Sequence, residues 1–159
     1  MHLAQLNIAR PRFAADDPRL ADFFDNLDRV NAVAERSPGF VWRLVGDGND
    51  ATDIRFDDDP DTLVNMSVWE TVEHLEHFVW DTVHRQFYRR RAEWFSSFGK
   101  PYFVMWSVAE GHRPTLTEAK ARLDHLTMNG STEHACGWEG FPNLKRWMEV
   151  QCVEAAPRM

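Results

Sequence analysis

Cysteine is nearly missing from this 159-residue chain: Cys136 and Cys152 are the only two. That is too few, and too clustered, for a disulfide scaffold, and two reduced thiols are the simplest reading. Cations are outnumbered, with 18 Lys and Arg against 25 Asp and Glu and a formal net charge of -7. No broad basic face is then expected for neutralising phosphates, which argues against nucleic-acid binding and against anionic membranes as partners. Long apolar runs are lacking too. The longest, such as Tyr102 to Trp106, fall far short of the roughly 20 residues of a membrane span. The first residues show no basic segment leading into an apolar one, so a cytoplasmic protein is expected. There is no Gly-x-Ser-x-Gly, no Walker sequence, no dinucleotide fingerprint and no Cys-x-x-Cys. The hydrolase, nucleotide-binding and zinc-finger readings that such motifs carry therefore lose their support.

What the chain has instead is aromatic mass. Its 7 Trp, 11 Phe and 2 Tyr exceed what a short domain needs for packing, and 43% hydrophobic residues suffice for one core. Alternation over His2 to Ala9 puts Ala4, Leu6 and Ile8 on one side and Leu3, Gln5 and Asn7 on the other, as in a strand. From Asp17 to Ser37 apolar residues recur at spacings of three and four, predicting an amphipathic helix with Pro18 near its start. Ser37-Pro38-Gly39 ends it, and FVWRLV reads as a second strand. Gly46 to Asp61, with seven aspartates, reads as a loop too polar to pack. LVNMSVW (Leu63 to Trp69) alternates strictly as a third strand, and a long helical stretch follows to near Phe95. YFVMWSV then gives a fourth strand. Thr115 to Met128 predicts a last helix, stopped at Gly130. The order is that of an α+β, ferredoxin-like βαββαβ subunit with an extra C-terminal helix and tail. Residues 1–130 form the domain. Residues 131–159 are expected as an extension packed on it, with Trp138, Phe141 and Trp147 as anchors.

Two constellations carry chemistry. On the first and third strands Gln5, Asn7, Asn65, Ser67 and Trp69 share one side, joined by Arg43 from the second strand and Phe103 from the fourth. A buried polar group needs a partner, so this face either lines a pocket or is solvated. On the second long helix His74, His77, Asp81, His84, Tyr88 and Arg91 share one side of the wheel. His77, Asp81 and His84 have spacing that permits a metal site, whereas a solvated face is the plain alternative. A break near Trp80-Asp81 would turn His84 inward as a proton-transfer residue. Arg89-Arg90-Arg91 reads as solvated charge near a helix end, with an anion site as the alternative.

SVWETVEHLEHFVWDTVHRQF resembles the strand-to-helix segment of antibiotic-biosynthesis-monooxygenase-like proteins. HLAQLNIARPRF, VNMSVWE, RRRAEWF and GHRPTLTEAKARLDHL are similar to an uncharacterised domain-of-unknown-function family of that dimeric α/β-barrel superfamily. The resemblance implies a homodimer packed through its sheets, with a ligand cavity between sheet and helices of each subunit. It also implies a small-molecule enzyme: a cofactor-independent monooxygenase, or a related cyclase or isomerase, acting on an aromatic or polyketide-like substrate in natural-product biosynthesis. Asn65 and Trp69 match the spacing of the family's Asn and Trp. Asn65 would hold an enolate or phenolate oxygen, Trp69 would bound the substrate, and Arg43 or Arg85 would stabilise negative charge. Leu75 stands where a Tyr is expected, leaving Tyr88 or Tyr102 to take that part. Catalytic candidates are thus Asn65, Trp69, His84 and Arg43. Gln5, Asn7, Ser67, Arg85, Tyr88 and Phe103 are candidates for substrate binding, and no metal or cofactor is expected. The alternatives are a haem protein, with His84 or His77 as axial ligand, and a non-catalytic module that binds an aromatic ligand.

Overall fold

A computed structural model describes residues 1–142 and 144. Its sheet is antiparallel, with β1 (His2–Pro11) in the middle. β3 (Leu63–Trp69) pairs with one side of β1, and β2 (Phe40–Arg43) pairs with β3. β5 (Phe103–Val108) lies on the other side of β1. Leaving aside the two-residue β4 (Phe95–Ser96), which extends the Pro11 end of β1, the strands stand in the order expected of a ferredoxin-like unit. The chain is accordingly an α+β protein with the predicted succession of elements.

Strand alternation divides the sheet into two unlike faces. Ala4, Leu6, Ile8, Val64, Met66, Val68, Val104, Trp106 and Val108 form one core with Ala119, Leu123 and Leu126 of α5 (Leu116–Asn129). Thr115 caps α5 by accepting from the Glu118 N–H, and Gly130, with φ of 72°, ends it in a conformation that glycine alone takes easily. On the opposite face the register Leu3↔Trp69, Gln5↔Ser67 and Asn7↔Asn65 lines up the polar residues. α2 (Leu27–Arg36), α3 (Val72–Asp81) and α4 (His84–Trp94) supply residues facing this side.

Three sequence expectations need correction. The helix read over Asp17 to Ser37 is divided into a 3-10 turn at Pro18–Leu20, a short α1 (Ala21–Asp25) and α2, with Asn26 between the last two. The second long helix breaks at Thr82, whose φ of -112° and ψ of -174° are extended, and its last predicted residue, Phe95, starts β4. The Gly46 to Asp61 loop is not too polar to pack, because Ala51 and Phe56 are buried in the α5-side core. Its carboxylates turn back on the local backbone: Asp50 accepts from the Thr52 N–H, Asp57 from that of Asp59 and Asp59 from that of Asp61. Such turns satisfy the polar groups and free the apolar side chains to point inward. The apolar face of the sheet is covered within the chain by α5 and this loop. Among the described residues the exposed large hydrophobic ones are Met1, Val41, Val45 and Met128.

Within the C-terminal extension, Cys136 exchanges backbone hydrogen bonds with Met105 of β5, and Trp138 stacks on Phe103 with ring centres 5.3 Å apart. Burial raises the Cys136 thiol to about 11, so it is protonated at neutral pH. Trp147 and Cys152 lie outside the described residues. Among the described residues no helix is long and apolar enough to cross a membrane.

Candidate functional site

A cavity of about 270 Å³ lies between the polar sheet face and the helices. The sheet side is a hydrogen-bonded amide network. Gln5, only 3% exposed, donates through Nε2 to Asn65 Oδ1 and to Ser67 Oγ, each at 2.8 Å. Asn7 Nδ2 donates to Gln5 Oε1 at 3.1 Å and to Asn65 Oδ1 at 3.3 Å. The Trp69 indole N–H donates to Ser67 Oγ at 2.9 Å. Ser67 thus accepts two hydrogen bonds, which uses both lone pairs and leaves its hydroxyl proton to be given away. The residue is 7% exposed, and no acceptor meets that proton among the described residues. Asn65, whose oxygen is doubly engaged, has no partner for its Nδ2 donors among the described residues. The sheet therefore offers hydrogen-bond donors to whatever enters.

Aromatic rings make up much of the remaining wall. Phe23, Phe40, Phe78, Phe87, Trp94 and Phe103 all border the cavity. Trp69 stacks on Phe78 at 5.2 Å and meets the edge of Phe40 at 5.5 Å. Offset and edge-to-face pairs of this kind hold their geometry through ring quadrupoles, giving flat, rigid surfaces.

His84 enters this wall because the helix breaks at Thr82. Its Nδ1 lies 3.3 Å from the Val79 carbonyl oxygen; a carbonyl only accepts, so Nδ1 carries the proton and Nε2 is a bare acceptor with no partner among the described residues. Burial pushes the imidazole down to about 4, against a weaker upward pull from the Val79 carbonyl. The ring is neutral at pH 7. His77, one turn before Asp81 on α3, instead points outward and pairs with that residue at 3.0 Å. The break thus separates His84 from the other two residues of the suspected metal row, and no group of three His, Cys, Asp or Glu able to hold a metal occurs among the described residues. Haem does not fit either. His84 Nε2 suits an axial ligand, but the cavity lies below the ~300–1,000 Å³ of pockets that take drug-sized ligands, and haem is large among them.

Arg43 and Phe103 border the cavity, as does Tyr88, which lies under the Arg91 guanidinium at 3.9 Å. Arg43 is not a loose cation. Its Nε donates to Glu35 Oε1 at 2.7 Å and its Nη2 to the Asn49 carbonyl oxygen at 2.7 Å. Arg85 does not border the cavity. Asn31 of α2, absent from the sequence candidates, does. Its signal was an amide inside the apolar stripe of Leu27, Val30 and Ala34.

No curated protein matches this chain. Among solved structures it is similar to SnoaB, a cofactor-independent oxygenase from Streptomyces nogalater, at 16% identity over 69% of this chain and 94% of that one, with a TM-score of 0.48. It is likewise similar to the NE2512 protein of unknown function from Nitrosomonas europaea, at 14% identity over 72% of this chain and 95% of that one, with a TM-score of 0.47. These likenesses concern the course of the backbone, not its chemistry. The model of the family described as Domain of unknown function (DUF3291) matches residues 2–152, and the chain belongs to that family.

Proposed function

We propose that the protein is a small-molecule enzyme of the cofactor-independent oxygenase kind, acting on a hydroxylated aromatic, polyketide-like substrate. The observation that carries this reading is the neutral His84, with Nε2 bare, bordering the same aromatic-walled cavity as the Ser67 and Asn65 donors. A base and hydrogen-bond donors around one ligand suit proton removal next to a carbonyl or phenol: His84 takes the proton, and Ser67 and Asn65 hold the oxygen on which negative charge collects. Trp69 and Phe78 bound the plane of the ring. The resulting anion is electron-rich enough to reduce molecular oxygen. With an anthrone, the ring methylene becomes a carbonyl, one oxygen atom enters the product and the other leaves as water. The same base and donors also serve an isomerase or cyclase, in which the proton returns to another carbon and no oxygen is consumed.

Oxygen uptake with an anthrone tests the reading. Uptake by the wild type that falls ~10²- to 10⁴-fold in His84→Ala, the range for a lost general base, supports it. Tight retention of the anthrone with no turnover under oxygen would instead make the protein a binding module. A Soret band in protein made with haem supplied, lost in His84→Ala, would turn the account toward haem. Sedimentation at micromolar concentration tests the homodimer, and a strictly monomeric species removes the barrel.

A further inference from the structure

We infer that the cavity corner between α2, β2 and the Asn49–Thr52 segment is a second binding subsite, where Arg43 Nη1 and the Asn31 amide hold a neutral oxygen substituent, a carbonyl or hydroxyl, at the far end of the ligand. The inference rests on the cavity being a site for a small aromatic molecule.

The Arg43 side chain is 8% exposed, yet it borders the cavity. Two arms of its planar guanidinium are fixed, Nε by the Glu35 carboxylate and Nη2 by the Asn49 carbonyl. The third, Nη1, has no hydrogen-bond partner among the described residues. A rigid fork held at two points aims its remaining N–H groups in one direction. The frame around it is braced as well: Asn49 Nδ2 donates to Asp28 Oδ1 at 3.1 Å, tying the loop to the first turn of α2. Asn31 lies one turn before Glu35 on that helix, and so on the same side. It is 9% exposed, and its amide likewise finds no partner among the described residues. Both residues border the cavity, and their open donors are held in place by a braced frame at one corner of it, which suits them to a ligand oxygen.

The charge at this corner selects the kind of oxygen. Glu35 already balances the Arg43 cation, and Asp50 also borders the cavity. A carboxylate or phosphate entering here would meet a corner with no positive excess, whereas a neutral carbonyl or hydroxyl meets donors without repulsion.

Rod-like probes with oxygen at one or both ends test this, read by quenching of the tryptophans around the cavity. Wild type is expected to bind 2,6-dihydroxynaphthalene about tenfold more tightly than 2-naphthol, the order of one charge-assisted hydrogen bond. Asn31→Leu, a change of similar size that a helix tolerates, is expected to remove most of that preference. 6-Hydroxy-2-naphthoate should bind more weakly than the diol. Equal binding of 2-naphthol and the diol, an undiminished preference in Asn31→Leu, or tighter binding of the carboxylate would overturn the subsite while leaving the cavity reading intact. A protein that binds neither naphthol overturns both.

Discussion

The two faces of one sheet are built from alternate residues of the same strands, and they do opposite things. Behind β1, Leu6 is fully buried against α5. In front of it, Gln5 is almost as deeply buried but spends that position on hydrogen bonds to Asn65 and Ser67. The closed face contributes stability through apolar area. The open face gives up packing around a cavity and keeps donors and a base there. Position on the pleat, rather than depth of burial, separates the residues that pack the core from those that line the cavity.

The largest effect on stability is expected in the core. Leu6→Ala leaves a hole that the surrounding strands cannot close, at a cost of ~2–5 kcal/mol. In a chain of this size that lowers the Tm by roughly 4–20 °C. The protein that remains folded should turn over substrate normally. Asn65→Ala on the other face reverses the pattern. Its amide is exposed, water can replace the bonds it accepts, and the Tm should fall by no more than ~4 °C. Turnover should drop at least about a hundredfold, as when an oxyanion donor is lost. A stable, fully active Asn65→Ala protein would remove this residue from the site.

Acid sharpens the contrast. The His84 imidazole sits at about 4 in the folded chain, against about 6.5 when unfolded. Between those values the unfolded state binds the extra proton, so stability conferred above pH 6.5 is lost as pH falls toward 4, by up to ~3 kcal/mol. Urea unfolding at pH 7 and pH 4.5 should show this loss in wild type and not in His84→Gln. Turnover that needs the neutral ring should stay level from pH 8 down to about 5. An activity midpoint near 6.5 would mean that the ring is solvated and outside the cavity.

The strict alternation of Leu63 to Trp69 made both faces legible in the sequence, because a period of two fixes side-chain direction before any tertiary contact forms. The helix break was legible as a possibility: β-branched Thr82 and Val83 weaken the helix there, and a change of phase was what His84 needed in order to turn inward. Arg43 was legible as a cavity residue but not as a held one. Its partners, Glu35 and Asn49, come from a helix and a loop whose placement no local pattern records. The loop itself misled through composition, since its aspartates satisfy the backbone locally and leave Phe56 free to pack. Asn31 was readable as an exception in an apolar stripe, but only a cavity beside it gives that exception a meaning.

Two tryptophans provide the most direct test. The Trp69 indole N–H, on the open face, donates to Ser67; that of Trp106, on the closed face, donates to Glu118 at 3.0 Å. Titrating 2-naphthol into ¹⁵N-labelled protein should move the Trp69 indole resonance to saturation and leave that of Trp106 in place. A stationary Trp69 signal, or a shift confined to Trp106, would contradict a ligand cavity on the polar face of the sheet.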